Sequence, residues 1–256
     1  YRQGTHWFYS ESELLSQAIG TLQFSTKDHI IVDRLERLTF TQTLLKMKGE
    51  ATLSCVLHSI HHWGDCINSE YFLLFQYANY FDHIIVSTEA QKEELERDLS
   101  TDKPVSVLPV GGLESLQYSD NRKPYSLMIA ARFERRKRLD LAIDAVVALH
   151  EKIPEVTLDI YGQGMLWQEI EEKIKQLNAQ SYIHLKGHQD LQTRFKEYEL
   201  YLATSEWETF GLTLLEAIGS GLVMVGTDVP YGNPTFIKND RNGFIVPFVD
   251  RSHEEV

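Results

Sequence analysis

Short runs of aliphatic and β-branched residues recur along the chain, each bounded by polar residues. In the first half these are His29-Ile30-Ile31-Val32, Leu53-Ser54-Cys55-Val56-Leu57, His83-Ile84-Ile85-Val86 and Val105-Ser106-Val107-Leu108. Runs of this length and composition predict strands buried on both faces. Helical spacing fills the gaps between them, as in 87–99. A polar, turn-rich segment, 111–124, then interrupts the pattern with Gly111, Gly112, Ser119, Asp120, Asn121 and Pro124. After it the alternation restarts with Leu127-Met128-Ile129-Ala130, Val156-Thr157-Leu158-Asp159-Ile160, Ile183-His184-Leu185, Leu200-Tyr201-Leu202-Ala203 and Leu222-Val223-Met224-Val225. Strands apolar on both faces need helices above and below. The pattern therefore predicts two doubly wound α/β domains with parallel sheets, 1–118 and 119–256. Two such sheets in tandem leave a cleft, and ligands of these folds sit beyond the carboxyl ends of strands. The pattern starts mid-way at Tyr1 and stops soon after a strand at Glu254-Glu255-Val256, so truncation at both ends is expected.

Composition narrows the function classes. Hydrophobic residues make up 43% of the 256 positions and charged residues 24%, enough apolar content for real cores. A net charge of -12 repels a polyphosphate backbone, which speaks against nucleic-acid binding. Two cysteines, Cys55 and Cys66, are too few for a disulfide scaffold and suit a reducing compartment, so a cytoplasmic protein is expected. No apolar run approaches the roughly 20 residues of a membrane span, and the opening residues Tyr1, Arg2, Gln3 and Gly4 do not form a signal peptide. Any membrane association is expected to be peripheral.

Chemistry concentrates at two predicted strand ends of the second half. Arg132, Arg135, Arg136, Lys137 and Arg138 place five cations within seven residues, directly after one strand and before a helix. A helix amino terminus disfavours cations, so the cluster predicts a focused positive site for a diphosphate. After another strand, Glu208 lies at a loop-to-helix junction and Glu216 follows eight residues later, a little over two turns along. Carboxylates accept from sugar hydroxyls, and the free amides around Phe210, Gly211 and Leu212 suit a phosphate oxygen. Glu216 sits inside Leu214-Leu215-Glu216-Ala217-Ile218, where a buried, unpaired charge would be costly. A polar ligand facing both glutamates is the expectation.

Weaker signals come from glycine and histidine. Gly162, in Tyr161-Gly162-Gln163-Gly164, either lets the backbone approach a donor or simply turns the chain from strand to helix. His58 and His61, in His58-Ser59-Ile60-His61-His62, close a strand of the first half; either could contact a sugar or cap the strand end. His58 with Cys55, Asp65 and Cys66 nearby offers residue types that can ligate zinc. Strand alternation sends Cys55 and His58 to opposite faces, so no metal site and no cofactor are expected.

Arg132 with Lys137, followed by the Glu208 and Glu216 pair around Phe210-Gly211, resembles the signature of the retaining GT-B glycosyltransferases grouped as family 4. Within it, Tyr198-Glu199-Leu200-Tyr201-Leu202, Gly211-Leu212-Thr213-Leu214-Leu215-Glu216-Ala217, Gly219-Ser220-Gly221-Leu222, Tyr231-Gly232-Asn233, Thr235-Phe236-Ile237 and Asn242-Gly243-Phe244 are similar to the accessory-Sec branch of protein O-GlcNAc transferases. That branch modifies serine-rich repeat adhesins. The likeness is dense from Lys123 onward and thinner back through Phe81-Asp82-His83-Ile84-Ile85-Val86, Gln91-Lys92 and Asp33-Arg34.

The resemblance implies a retaining, metal-independent hexosyltransferase that uses a UDP-sugar, with UDP-GlcNAc expected. Arg132 and Lys137 would neutralise the leaving diphosphate, the amides of Phe210, Gly211 and Leu212 would hold it, and Glu216 would bind the ribose. Glu208 would contact the transferred sugar and His58 its distal hydroxyls; His61 and Gly162 are further donor-contact candidates on the residue reading alone. The implied partners are a serine-rich protein acceptor and a companion glycosyltransferase subunit. Thr209, Phe133 and Pro234 depart from the usual residues and bear on sugar choice and acceptor fit. Two other readings stay open. Ile84-Ile85-Val86-Ser87-Thr88-Glu89-Ala90-Gln91-Lys92 and His58-Ser59 also resemble poly(glycerol-phosphate) α-glucosyltransferases of teichoic acid, whose polyanionic acceptor an acidic chain would repel. A non-catalytic sugar-binding companion is the other, against which the four charged donor residues argue.

Overall fold

All five residues of the strand Ser126–Ala130 are buried, as its unbroken apolar run predicts. Their side chains alternate between two cores. Leu127 and Ile129 join Leu158, Ile160 and Ile183 on one face, while Met128 and Ala130 join Tyr161, Tyr201, Ala203 and Met224 on the other. Each fully buried leucine or isoleucine in such a core stabilises it by roughly 1.5–3 kcal/mol. This computed structural model describes every residue except 1, 4, 5, 8, 9, 36, 37, 65, 114, 117 and 249–256, so Asp65 and the two expected chain ends lie outside the described residues.

The chain divides into two compact units, Tyr1–Pro109 and Val110–Val256. The division falls before the 118/119 boundary expected above. The reason is packing: Gly111 lies against Leu212 and Leu113 against Gly219, which ties the start of the turn-rich segment to unit 2.

Unit 1 holds a four-stranded parallel sheet of β1 (His29–Val32), β2 (Thr52–Val56), β3 (His83–Val86) and β4 (Val105–Val107), side by side in chain order. Its helices are α1 (Glu11–Gly20), α2 (Leu38–Met47), α3 (Phe72–Tyr77) and α4 (Glu89–Asp98). Side-chain caps start two of them: Ser10 Oγ accepts from the Glu13 amide and Thr88 Oγ1 from the Gln91 amide. Leu53, Cys55, Leu57, Leu74, Phe81, Ile84, Val86 and Leu95 form the core.

Unit 2 has six parallel strands: β5 (Ser126–Ala130), β6 (Thr157–Tyr161), β7 (Ile183–Gly187), β8 (Leu200–Ala203), β9 (Val223–Asp228) and β10 (Gly243–Pro247). Their spatial order is β7-β6-β5-β8-β9-β10. Helices α5 (Leu139–His150) and α6 (Trp167–Gln176) cover one face, while α7 (Leu212–Gly219) packs on the other through Leu214 and Ala217. The unit is doubly wound, and its strand order reverses between β5 and β8. At such a switch point the two following loops diverge and leave a crevice beyond the strand ends. Among the described residues no helix is long and apolar enough to cross a membrane.

Candidate functional site

The loops leaving β5 and β8 flank the switch point, and they are stitched together. The Glu206 amide donates to Arg136 O at 2.8 Å, and Thr204 Oγ1 donates to Lys137 O at 2.9 Å. This brings together two side chains 71 residues apart: the Lys137 ammonium is ion-paired with the Glu208 carboxylate. Their side chains are only 12% and 18% exposed, so water screens the pair poorly. Burial pushes the Lys137 pKa down, and the Glu208 charge pulls against that. The backbone of Glu208 is fixed as well, its amide donating to Pro230 O at 2.7 Å and its carbonyl accepting from Tyr231 at 2.6 Å.

The cation cluster is not the open positive patch that the sequence suggested. Arg132 pairs with Glu134 at 2.8 Å, Arg136 with the same Glu134 at 3.0 Å, and Arg138 with Asp140 at 3.0 Å and Glu206 at 3.5 Å. Arg136 also stacks over the Trp207 ring at 4.3 Å. Carboxylates from both loops interleave with Arg132, Arg136, Lys137 and Arg138 and compensate them locally, while Arg135 is exposed. Of the two expected phosphate ligands, Arg132 stands out into solvent at 70% exposure, and Lys137 is largely enclosed at 12%.

Helix α7 begins at Gly211, whose φ of 85° favours glycine, and a Cβ there would come within 2.5 Å of Leu214. Phe210 is buried edge-on against Phe236, and Leu212 is half exposed. Glu216 does not lie in the apolar interior that its sequence neighbours predict. Leu214 and Ala217 take the buried face of α7, whereas Glu216 is exposed along an open cavity of about 660 Å³. Partial burial still raises its carboxyl pKa. Its neighbours in that cavity include Gly112, Leu113, His188, Gln189, Asp190 and Gln192. Glu208 instead lines a smaller cavity with Ala131, Lys137, Thr204, Ser205 and Thr213. The two glutamates thus serve adjacent compartments along α7 rather than one point. Tyr201 is buried near both; its hydroxyl meets Thr213 Oγ1 at 2.8 Å and donates to Ala130 O at 3.1 Å.

Residues 188–192 escaped the sequence reading. They directly follow β7, so the rule that ligands sit beyond strand ends would have found them. Gly162 has a clear local duty: its amide donates to Gly187 O at 2.9 Å, and a Cβ would meet Ala131 O at 1.8 Å. Only glycine lets the turn after β6 lie against the loop that carries Arg132.

In unit 1, His58 Nε2 is 2.8 Å from Asp33 Oδ1, and the amides of His58 and Ser59 donate to the Tyr71 hydroxyl. His61 cannot offer its ring as a surface sugar contact, because the side chain is fully buried with Nε2 at 2.9 Å from Asp98 Oδ2. Burial lowers its pKa against the pull of Asp98.

Residues 116–255 match the family model described as "Glycosyl transferases group 1". Over its whole length the chain is 39% identical to the UDP-N-acetylglucosamine–peptide N-acetylglucosaminyltransferase GtfA subunit of Streptococcus gordonii, covering 52% of that protein. The solved pneumococcal O-GlcNAc transferase GtfA, in complex with UDP and GlcNAc, superposes with a TM-score of 0.89 at 36% identity, covering 97% of this chain and 51% of that one. A solved GtfA/B complex gives the same TM-score at 39% identity, covering 100% of this chain and 53% of that one. The chain therefore spans about half the length of these relatives, and its α/β architecture of parallel sheets is theirs.

Proposed function

The chain belongs to the group 1 glycosyl transferases, and from that membership we propose that its protein moves N-acetylglucosamine from UDP-N-acetylglucosamine to serine or threonine hydroxyls of a protein. The observation that carries the reading is the part-buried Lys137–Glu208 pair at the switch point, close to the start of α7 and the Glu216 cavity. A UDP-sugar has the matching sequence of groups. Its nucleoside suits the 660 Å³ cavity, with ribose hydroxyls donating to Glu216. Its diphosphate suits the first amides of α7 with Arg132 and Lys137. Its sugar hydroxyls suit Glu208. For His58 a sugar-contact role rests on the resemblance, and the structure adds Asp33 as the residue that orients it.

In the proposed step the acceptor hydroxyl oxygen bonds to the anomeric carbon on the face the diphosphate leaves. The bond to the diphosphate breaks, its electron pair stays on the phosphate oxygen, and the hydroxyl proton passes to that oxygen. Catalysis is then positioning plus stabilisation of the departing charge by Lys137, Arg132 and the α7 amides, without a protein nucleophile or catalytic metal. A cytoplasmic setting fits the two free cysteines. A companion subunit is proposed by likeness to the GtfA/B complex, and a serine-rich acceptor from the sequence resemblance alone.

The test uses the full-length protein with UDP-GlcNAc, offering a serine-rich peptide and poly(glycerol-phosphate) in separate reactions read by mass spectrometry. The expected result is one N-acetylhexosamine mass increment per modified site on the peptide alone, with initial rates unchanged by freshly added EDTA. Transfer to the polyanion alone, or abolition by EDTA with rescue by manganese, overturns the reading.

A further inference from the structure

Within unit 1 the described residues gather one set of metal-ligating side chains: His61, His62 and Asp98. In an extended segment, neighbouring residues point to opposite faces. Here the two adjacent histidines converge instead, their Nε2 atoms 2.9 and 3.5 Å from the same oxygen, Asp98 Oδ2. All three ligating atoms lie within 4.8 Å of one another. Around a zinc ion about 2.0–2.1 Å from each ligand, tetrahedral donor atoms stand roughly 3.3 Å apart, close to both measured separations.

The surroundings favour a cation. Asp98 is the last residue of α4, where the helix dipole presents its negative end. Glu94, one turn earlier, acts electrostatically on His61. The His61 ring is fully buried, and the side chains of His62 and Asp98 are each 29% exposed, so the trio has a rigid inner wall and an open side. One carboxylate oxygen can accept from two imidazoles, so a hydrogen-bonded trio and a metal site share this convergence, and the substitutions below separate them.

We propose that His61, His62 and Asp98 bind a zinc ion through two imidazole nitrogens and one carboxylate oxygen, with water in the fourth position. This ligand set suits zinc and disfavours magnesium or calcium. The ion clasps the segment after β2 to the carboxyl end of α4. It shares no residue with the donor site, so its loss lowers thermal stability and leaves the initial transfer rate unchanged.

The full chain, purified without a polyhistidine tag and freed of metal by chelation and dialysis, is titrated with zinc by calorimetry and followed by thermal melting. Equimolar binding and a raised Tm are expected, with magnesium giving neither. His62→Gln and Asp98→Asn each weaken zinc binding by more than about tenfold, the lower end for losing even an outer-shell partner. The asparagine keeps an oxygen that accepts a histidine N–H, so a mere hydrogen-bonded pair survives that change while the metal site does not. Circular dichroism verifies that both variants fold, and His61 is left unchanged because it is buried. Lack of equimolar zinc binding, an equal effect of magnesium, or zinc binding that survives either substitution overturns the assignment.

Discussion

In unit 1 the strands cross the sheet in chain order, whereas in unit 2 the order reverses and β8 returns beside β5. The polar side chains follow that difference. Along its sheet, unit 1 closes several polar groups on one another: Asp82 takes the Leu53 amide and Lys48, and Gln91 links the Ser87 amide to Ser59 O. Unit 2 holds a lysine and a glutamate face to face at the point of reversal, with an open cavity further along α7. Two sheets with similar strand sequences therefore differ in chemistry because one connection changes direction. The fold rule says where a crevice forms, and the side chains there say what it takes.

The largest expected effect comes from removing the charge at the reversal. Lys137→Ala removes the part-buried cation proposed to meet the diphosphate and leaves Glu208 partly buried without its partner. Turnover is expected to fall roughly 10²- to 10³-fold, the scale for losing one preorganised stabilising group. Steady-state kinetics checks it, with a melting curve to show that the fold survives. A fall of less than about threefold would move the catalytic site away from the switch point.

Leu127–Ala130 announced a central strand because it is apolar on both faces. The order of the strands was not announced, since no local pattern reports which strands become neighbours. The cations after β5 were visible, but two of the carboxylates that compensate them, Glu206 and Glu208, lie about 70 residues away. Glu216 was misjudged because its sequence neighbours are apolar: a helix turns about 100° per residue, so Leu214 and Ala217 face the core while Glu216 faces the cavity. His61 looked like a surface ligand at a strand end, and only Asp98 on α4 reveals its burial.

Unit 2 also has a polar cluster closed on itself, which sharpens the contrast. Tyr198 donates to Asp159 Oδ2 at 2.6 Å, Tyr161 and Tyr198 share a 2.6 Å contact, and His184 Nδ1 lies 2.9 Å from Asp159 Oδ1. Burial alone would raise the Asp159 pKa, but the Tyr198 and His184 hydrogen bonds outweigh it and the net shift is downward. A depressed carboxylate pKa contributes stability that is present above the unfolded value and lost as pH falls through the folded one. Asp159→Asn, with one acceptor where two are needed, is expected to cost roughly 1–3 kcal/mol. In melts, its gap to the parent should stay constant above about pH 4 and close below it. A gap that widens on acidification would contradict the assigned ionisation.

Glu216→Gln separates the two compartments. The amide keeps the shape of the side chain and would weaken the proposed hold on ribose hydroxyls, so UDP affinity is expected to fall about tenfold while pyrophosphate binding is unchanged. Because partial burial raises the carboxyl pKa, parent UDP affinity should drop as pH falls through that raised value, and the glutamine variant should lose that limb. Calorimetry with both ligands over a pH series checks this. Equal losses for UDP and pyrophosphate would place Glu216 on the phosphate instead.

The smallest effect is also the most specific to the resting pair. With no donor bound, Lys137 and Glu208 neutralise each other, so a diphosphate must draw the ammonium away from the carboxylate before gaining its full attraction. Glu208→Gln removes that competitor and lets the lysine charge act on the phosphate alone. UDP, which carries no sugar, is therefore expected to bind about threefold more tightly to this variant, in keeping with the modest value of a partly exposed ion pair. Transfer falls at the same time, because the sugar hydroxyls lose a charged acceptor. The opposite signs exclude a general disturbance of the fold, which would weaken both. If UDP binding also weakens, Glu208 holds Lys137 in place for the phosphate rather than competing with it, and the pair is a scaffold rather than a resting lock.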